Sequence, residues 1–130
     1  ANMFVAGFIG SPAMNMIPGR LRANGSASFE GPGGVSFPLA DAPAASDGKP
    51  AIFGVRPEHL TLADDGAEAQ VQVIEPTGSE IQIVAKLGGT DVIAVFRERH
   101  KLNPGDKIRL KPDRQLVHLF DQETGKRLTA

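Results

Sequence analysis

AEAQVQVIEPTGSEIQIVAKL, residues 67–87, consists of two runs of alternating hydrophobicity around a turn. Ala67, Ala69, Val71 and Val73 fall on one face, with Glu68, Gln70 and Gln72 on the other. EPTGS (75–79) supplies turn residues, and Ile81, Ile83, Ala85 and Leu87 then alternate with Glu80, Gln82 and Lys86. Successive side chains of a strand point to opposite faces, so this pattern predicts two half-buried strands joined as a hairpin. Downstream, Gly88-Gly89 leads into Val92–Phe96, five apolar residues in a row, which predicts a strand buried on both sides. Asn103-Pro104-Gly105-Asp106 suits a turn. Ile108 and Leu110 alternate with Lys107, Arg109 and Lys111, Leu116–Phe120 reads as a closing strand, and Thr124-Gly125 turns the tail.

Upstream the same period recurs. Leu21 and Ala23 alternate with Arg20 and Arg22, Asn24-Gly25 is a hairpin signal, and Ala27 and Phe29 alternate with Ser26 and Ser28. Gly31-Pro32-Gly33-Gly34 turns the chain again, and Val35, Phe37 and Leu39 share a face. ADAPAASDGKP (40–50) reads as an exposed loop. Nine or so short strands at this spacing predict an all-β fold, a closed or nearly closed small barrel. One segment differs. In residues 2–10, Phe4 with Phe8 and Val5 with Ile9 are i, i+4 pairs, which predicts a short N-terminal helix stopped by Gly10-Ser11-Pro12. Its stripe needs a surface to lie on.

The 130 residues are enough for one domain with a real core. A net charge of −1 gives no electrostatic reason to expect nucleic acid or an anionic membrane as partner. The absence of cysteine excludes disulfides, thiol nucleophiles and thiolate metal sites. No stretch has the length and apolarity of a membrane span, so cytoplasm is the default location. The chain opens at Ala1 without Met and already inside an apolar pattern. Met removal or excision from a longer protein explains this equally well.

FGVRPEHL (53–60) is the segment that most resembles a reactive cluster. Pro57 forces Arg56 into an extended conformation and suits the first position of a helical turn, where Glu58 complements the N-terminal dipole. Strand, corner, strand accounts for Arg56, Pro57, Glu58 and His59 without chemistry, and successive side chains do not converge on a substrate. His59, His100 and His118 show no metal-ligand spacing. No GxxxxGK[ST], GxGxxG or GxSxG pattern occurs. With no Tyr or Trp and balanced charge, the barrel lacks the stacking platforms and basic groove of an oligonucleotide binder. No catalytic, cofactor or metal residue is assigned.

FVAGFIGSPAMN (4–15), FGVRPEHL (53–60), VIEPTGSE (73–80) and VHLFDQETGKRL (117–128), in this order and spacing, resemble the C-terminal part of an ABC importer ATP-binding subunit of the maltose and glycerol-3-phosphate (MalK/UgpC-like) family. The resemblance covers essentially the whole chain. It implies that residues 1–12 end a nucleotide-binding domain and that 13–130 form a regulatory domain of OB-fold type, often called TOBE or MOP-like. ATP, Mg and the Walker motifs would belong to the preceding domain, so this segment would not itself be an enzyme while its parent would be a transport ATPase. The implied partners are a second copy of the chain, the membrane-spanning importer subunits reached through the ATP-binding domain and, in some members, a regulatory protein. The implied location is cytoplasmic, peripheral to the inner membrane. Phe4, Val5, Phe8 and Ile9 are then interface candidates for docking on a second copy, and Gly78 and Glu80, on the VIEPTGSE turn, for a partner-facing surface. The alternative is a free-standing or appended module binding a small oxyanion-type ligand, as related barrels in molybdate systems do.

Overall fold

A computed structural model of the chain describes residues 14–23, 27–39, 47–97 and 101–128. The expected helix over 2–10, with Phe4, Val5, Phe8 and Ile9, lies outside these residues, as do Asn24-Gly25 and His100. The described residues form nine strands: β1 (Asn15–Arg22), β2 (Ser28–Glu30), β3 (Ser36–Pro38), β4 (Pro50–Val55), β5 (Leu60–Thr77), β6 (Glu80–Leu87), β7 (Thr90–Phe96), β8 (Lys107–Pro112) and β9 (His118–Asp121). They make two antiparallel sheets, ordered β3-β2-β1-β4-β9 and β7-β6-β5-β8. The inner faces enclose a single apolar cluster, the all-β architecture that the alternation predicts.

Three phenylalanines centre that cluster on the five-stranded side. Phe53 packs between Phe29 and Phe37, with ring centroids 5.0 and 5.1 Å away. Val71, Ile83, Ala85, Leu87, Val92, Ala94 and Leu110 face them from the other sheet. β4 is the strand buried on both sides, with Ala51 to Val55 all inaccessible. The expectation placed that environment at Val92–Phe96. There only Val92, Ala94 and Phe96 are buried, while Ile93 and Val95 point outward and are half-exposed. A continuous apolar run does not say whether its second face is covered.

β5 is one 18-residue strand where two were expected. Leu62 and Ala67 both pair with Leu110, so residues 63–66 bulge out of the ladder. Gly66 makes the bulge possible: a Cβ there would lie 2.6 Å from the Leu110 carbonyl oxygen. A second irregularity separates Val71, opposite Ala85, from Val73, opposite Val84. One extra residue reverses the phase of a strand. Val71 is therefore 1% exposed but Val73 is 49% exposed, which corrects its predicted core placement. The ladder also runs on to Thr77 and Glu80, so the turn is only Gly78-Ser79. At the tail, strand structure begins at His118, and Leu116 sits exposed in the preceding turn.

The seam between β1 and β7 is closed by a side chain. Asn15 lies in phase with Ile17 and Leu21 on the inner face of β1 and is buried. Its Nδ2 donates to the Ile93 carbonyl and its Oδ1 accepts from the Ile93 N–H, each at 2.8 Å. A side-chain amide carries one acceptor and donors in a planar array, like a peptide group. Asn15 thus stands in for a residue of a neighbouring strand at the free edge of β7.

Candidate functional site

The FGVRPEHL segment carries the chain from one sheet to the other. Arg56 is extended (φ −72°, ψ 147°), and Pro57–His59 form one turn of 3-10 helix with the His59 N–H donating to the Arg56 carbonyl at 2.9 Å. Pro57 is buried, Glu58 exposed and His59 half-buried. The His59 carbonyl accepts from the Asp113 N–H at 3.0 Å, which ties the end of β8 to the turn. The fold thus gives Arg56, Pro57, Glu58 and His59 the geometry of a corner. His59 Nδ1 is buried with no hydrogen-bond partner.

The β5–β6 hairpin presents the second pair of candidates. Gly78 is exposed at φ +63°, with nothing within 4 Å of a would-be Cβ. Glu80 is half-buried, and its Oε2 lies 3.4 Å from Arg97 Nε. The outer face of the same hairpin carries a feature that period-two reading misses. Val73 pairs with Val84 and Val84 with Ile93, all on the outer face, so an aliphatic row crosses β5, β6 and β7 with Val95 beside it. Arg97–Glu80 and Lys86–Asp91 (3.6 Å) ion pairs flank it with equal numbers of each sign.

One concavity, about 550 Å³ and open to solvent, is lined by Gly33, Gly34, Ser36, Glu68, Lys86, Lys107 and Arg109 among others. Its cations are answered locally: Lys86 by Asp91, Lys107 by Glu68 at 3.8 Å, and Arg109 by the Gly66 carbonyl at 3.1 Å. Nothing there converges on a substrate. Among the described residues, no group of His, Asp and Glu could hold a metal ion. Among the described residues, the most strongly shifted carboxylate is Asp121, at the end of β9. The Thr124 and Glu123 N–H groups donate to Asp121 Oδ1 (3.0 and 2.9 Å), and Lys49 Nζ lies 3.1 Å from Oδ2. These bonds to the Thr124 N–H, Lys49 and the Glu123 N–H hold the Asp121 carboxyl down at about 2. They brace a turn and leave no reactive group.

A family model described as the MalK OB fold domain matches residues 10–60, and one described as the TOBE domain matches residues 53–120. This chain belongs to the TOBE domain family. An ABC transporter ATP-binding protein of Sinorhizobium fredii is 45% identical over 128 residues, which is 98% of this chain and 34% of that protein. The sn-glycerol-3-phosphate import ATP-binding protein UgpC of Cereibacter sphaeroides is 40% identical over 132 residues, covering 98% of this chain and 36% of that one. UgpC of Salmonella typhi is 34% identical, with 98% of this chain and 36% of that protein covered. The chain therefore spans about a third of the length of these relatives. Among solved structures, the molybdate-bound cytoplasmic protein ModG superposes with a TM-score of 0.62 at 18% identity, over 81% of this chain and 94% of that one. At that identity the likeness describes the fold. Among the described residues, no helix of this TOBE domain is long and apolar enough to cross a membrane.

Sequence reading passed over Asn15, the Val73 row and the meeting of His118 with Arg127. Asn15 had a legible signal, an amide in phase with core residues. The other two depend on a bulge and on a tail that folds back, neither of which hydrophobic period records.

Proposed function

We propose that this TOBE domain is the C-terminal regulatory and dimerisation segment of an ABC importer ATP-binding subunit for sugars or related solutes. The parent would power uptake by ATP hydrolysis. The observation that carries this is the match of nearly the whole chain to about a third of each of several such ATP-binding proteins. In this reading residues 1–12 end the nucleotide-binding domain, which binds ATP and Mg and contacts the membrane-spanning subunits. The whole sits in the cytoplasm at the inner membrane.

The domain's part is mechanical. A rigid two-sheet body linked to each ATP-binding half can hold two halves together while they open and close. Phe4, Val5, Phe8 and Ile9 remain candidates for a contact between copies, and the outer row of Val73, Val84, Ile93 and Val95, on the sheet whose β5–β6 hairpin carries Gly78 and Glu80 at its tip, is a second. Its balanced rim suits a copy of itself better than a highly charged partner. A regulatory protein would compete for the same exposed hairpin.

Translating the reading frame upstream of Ala1 tests the proposal. An in-frame nucleotide-binding domain with GxxxxGK[ST] is expected, and a frame without one refutes it. Sedimentation equilibrium tests the dimerisation, and a monomer at high micromolar concentration would refute that part.

A further inference from the structure

After β9 the tail, residues 122–128, turns back and lies along the edge of that strand that β4 leaves open. The Leu128 N–H donates to the Leu119 carbonyl and the Asp121 N–H to the Lys126 carbonyl, each at 2.7 Å, with Arg127 opposite Phe120 between them. Residues opposite one another across an antiparallel pair share a side of the sheet, as do their diagonal neighbours. Arg127 is therefore brought to the side that carries His118 and Phe120. Its Nη2 is 2.7 Å from His118 Nδ1, its guanidinium carbon lies 6.0 Å from the Phe120 ring centroid, and the two rings stack at 6.4 Å. Leu128, next along the tail, points the other way and packs against the core cluster.

Arginine only donates hydrogen bonds, so this contact lasts only while His118 Nδ1 is an acceptor and the ring proton resides on Nε2. A second proton sets donor against donor and places a cation beside the guanidinium. Burial makes His118 harder to protonate than an ordinary histidine, and repulsion from Arg127 on the tail and from Arg56 and His59 at the corner adds to it. On β4, which pairs with β9, no residue from Pro50 to Val55 titrates. Glu58 on the corner turn and Glu123 and Lys126 on the tail are exposed, and Asp121 is held by Lys49 and two backbone N–H groups.

We infer that the tail is a pH-sensitive latch on the outer edge of β9, closed by neutral His118 and released when that ring is protonated. The folded state protonates His118 less readily than the unfolded chain does. Closure is therefore fully stabilised above the ordinary value of 6.5 and is lost as pH falls through the lower folded one. Release uncovers the Asp121 N–H and withdraws Leu128 from the core cluster. The turn before it persists, because Asp121 stays ionised down to about 2 and keeps its bonds to the Glu123 and Thr124 N–H groups. Mild acid thus changes one sheet edge and leaves the two-sheet body closed. The latch does not depend on the transporter reading above.

NMR of the whole chain from about pH 8 to about pH 5, where histidine is the ordinary side chain that titrates, tests this. The His118 ring resonances are followed together with exchange of the Leu128 amide, expressed against an unstructured peptide at the same pH. Leu128 protection should fall roughly tenfold with the midpoint of His118, below 6.5, while that of the Gly125 amide, which donates to the Asp121 carbonyl within the turn, holds. His118→Asn offers an acceptor near the Nδ1 position without a titratable ring and should keep Leu128 protected throughout. Arg127→Ala, on the exposed tail, should leave Leu128 poorly protected at every pH and raise the His118 midpoint, and it keeps the test readable if the β9 variant does not fold. Leu128 protection that is unchanged across the His118 titration, or that falls over the same range in His118→Asn or from the wild-type level in Arg127→Ala, overturns the latch.

Discussion

Replacing Asn15 should open the barrel along one seam. Its side chain donates to the Ile93 carbonyl and accepts from the Ile93 N–H, both at 2.8 Å, and the residue is 8% exposed. Each hydrogen bond contributes about 1 kcal/mol net, and a buried peptide group left without a partner costs roughly 1–3 kcal/mol. Asn15→Ala removes both bonds and leaves Ile93 unsatisfied on its free edge, so a loss of about 2–4 kcal/mol is expected. With no Trp or Tyr, the chain is best followed in urea by far-UV circular dichroism. The midpoint should fall with little change in slope. Asn15→Asp is the sharper probe. Its carboxylate can accept from the Ile93 N–H but would face the Ile93 carbonyl with a lone pair, and only the protonated acid restores the donor. That raises the folded-state pKa of the introduced carboxyl. The resulting stability is present below the unfolded value near 4 and is lost as pH rises through the folded value. Asn15→Asp should therefore approach wild type in mild acid and fall away towards neutrality. If Asn15→Ala costs under about 0.5 kcal/mol, the usual scale of a surface substitution, the clasp carries no load and the reasoning fails.

Other expectations follow from single contacts. Phe53→Ala empties the space between two rings and should cost about 3–5 kcal/mol in the same urea assay. Gly88 sits at φ +58°, where a Cβ would overlap the Pro32 carbonyl oxygen, so Gly88→Ala should lower the melting temperature by several degrees or more. Asp121 is held below its ordinary 3.8, near 2, so its contribution is complete above about pH 4 and lost as pH falls towards 2. Asp121→Asn should flatten that part of the acid-unfolding curve, and an unchanged curve would refute the link. If copies pair through the aliphatic row, Val73→Lys should weaken self-association roughly tenfold in sedimentation with an unchanged dichroism spectrum.

The chain's alternation was sufficient for the strands and for most of their faces, because a half-buried strand writes its two environments into successive residues. Val35, Phe37 and Leu39, and likewise Ile83, Ala85 and Leu87, lie where period two puts them. The corner at Pro57 was equally legible, since proline constrains its own backbone and that of Arg56. Four things depend on how the chain closes in three dimensions. A bulge after Val71 turned Val73 to the outside, and bulges arise from the register between two strands rather than from either alone. The double-sided burial of β4 comes from what covers its outer face, which a run of apolar residues does not encode. His118 meets Arg127 only because the tail folds back along β9, and Asn15 reaches across 78 residues to Ile93. Local order follows from torsion and hydrophobic period. Which polar groups end up facing one another is settled only when two sheets close around one core.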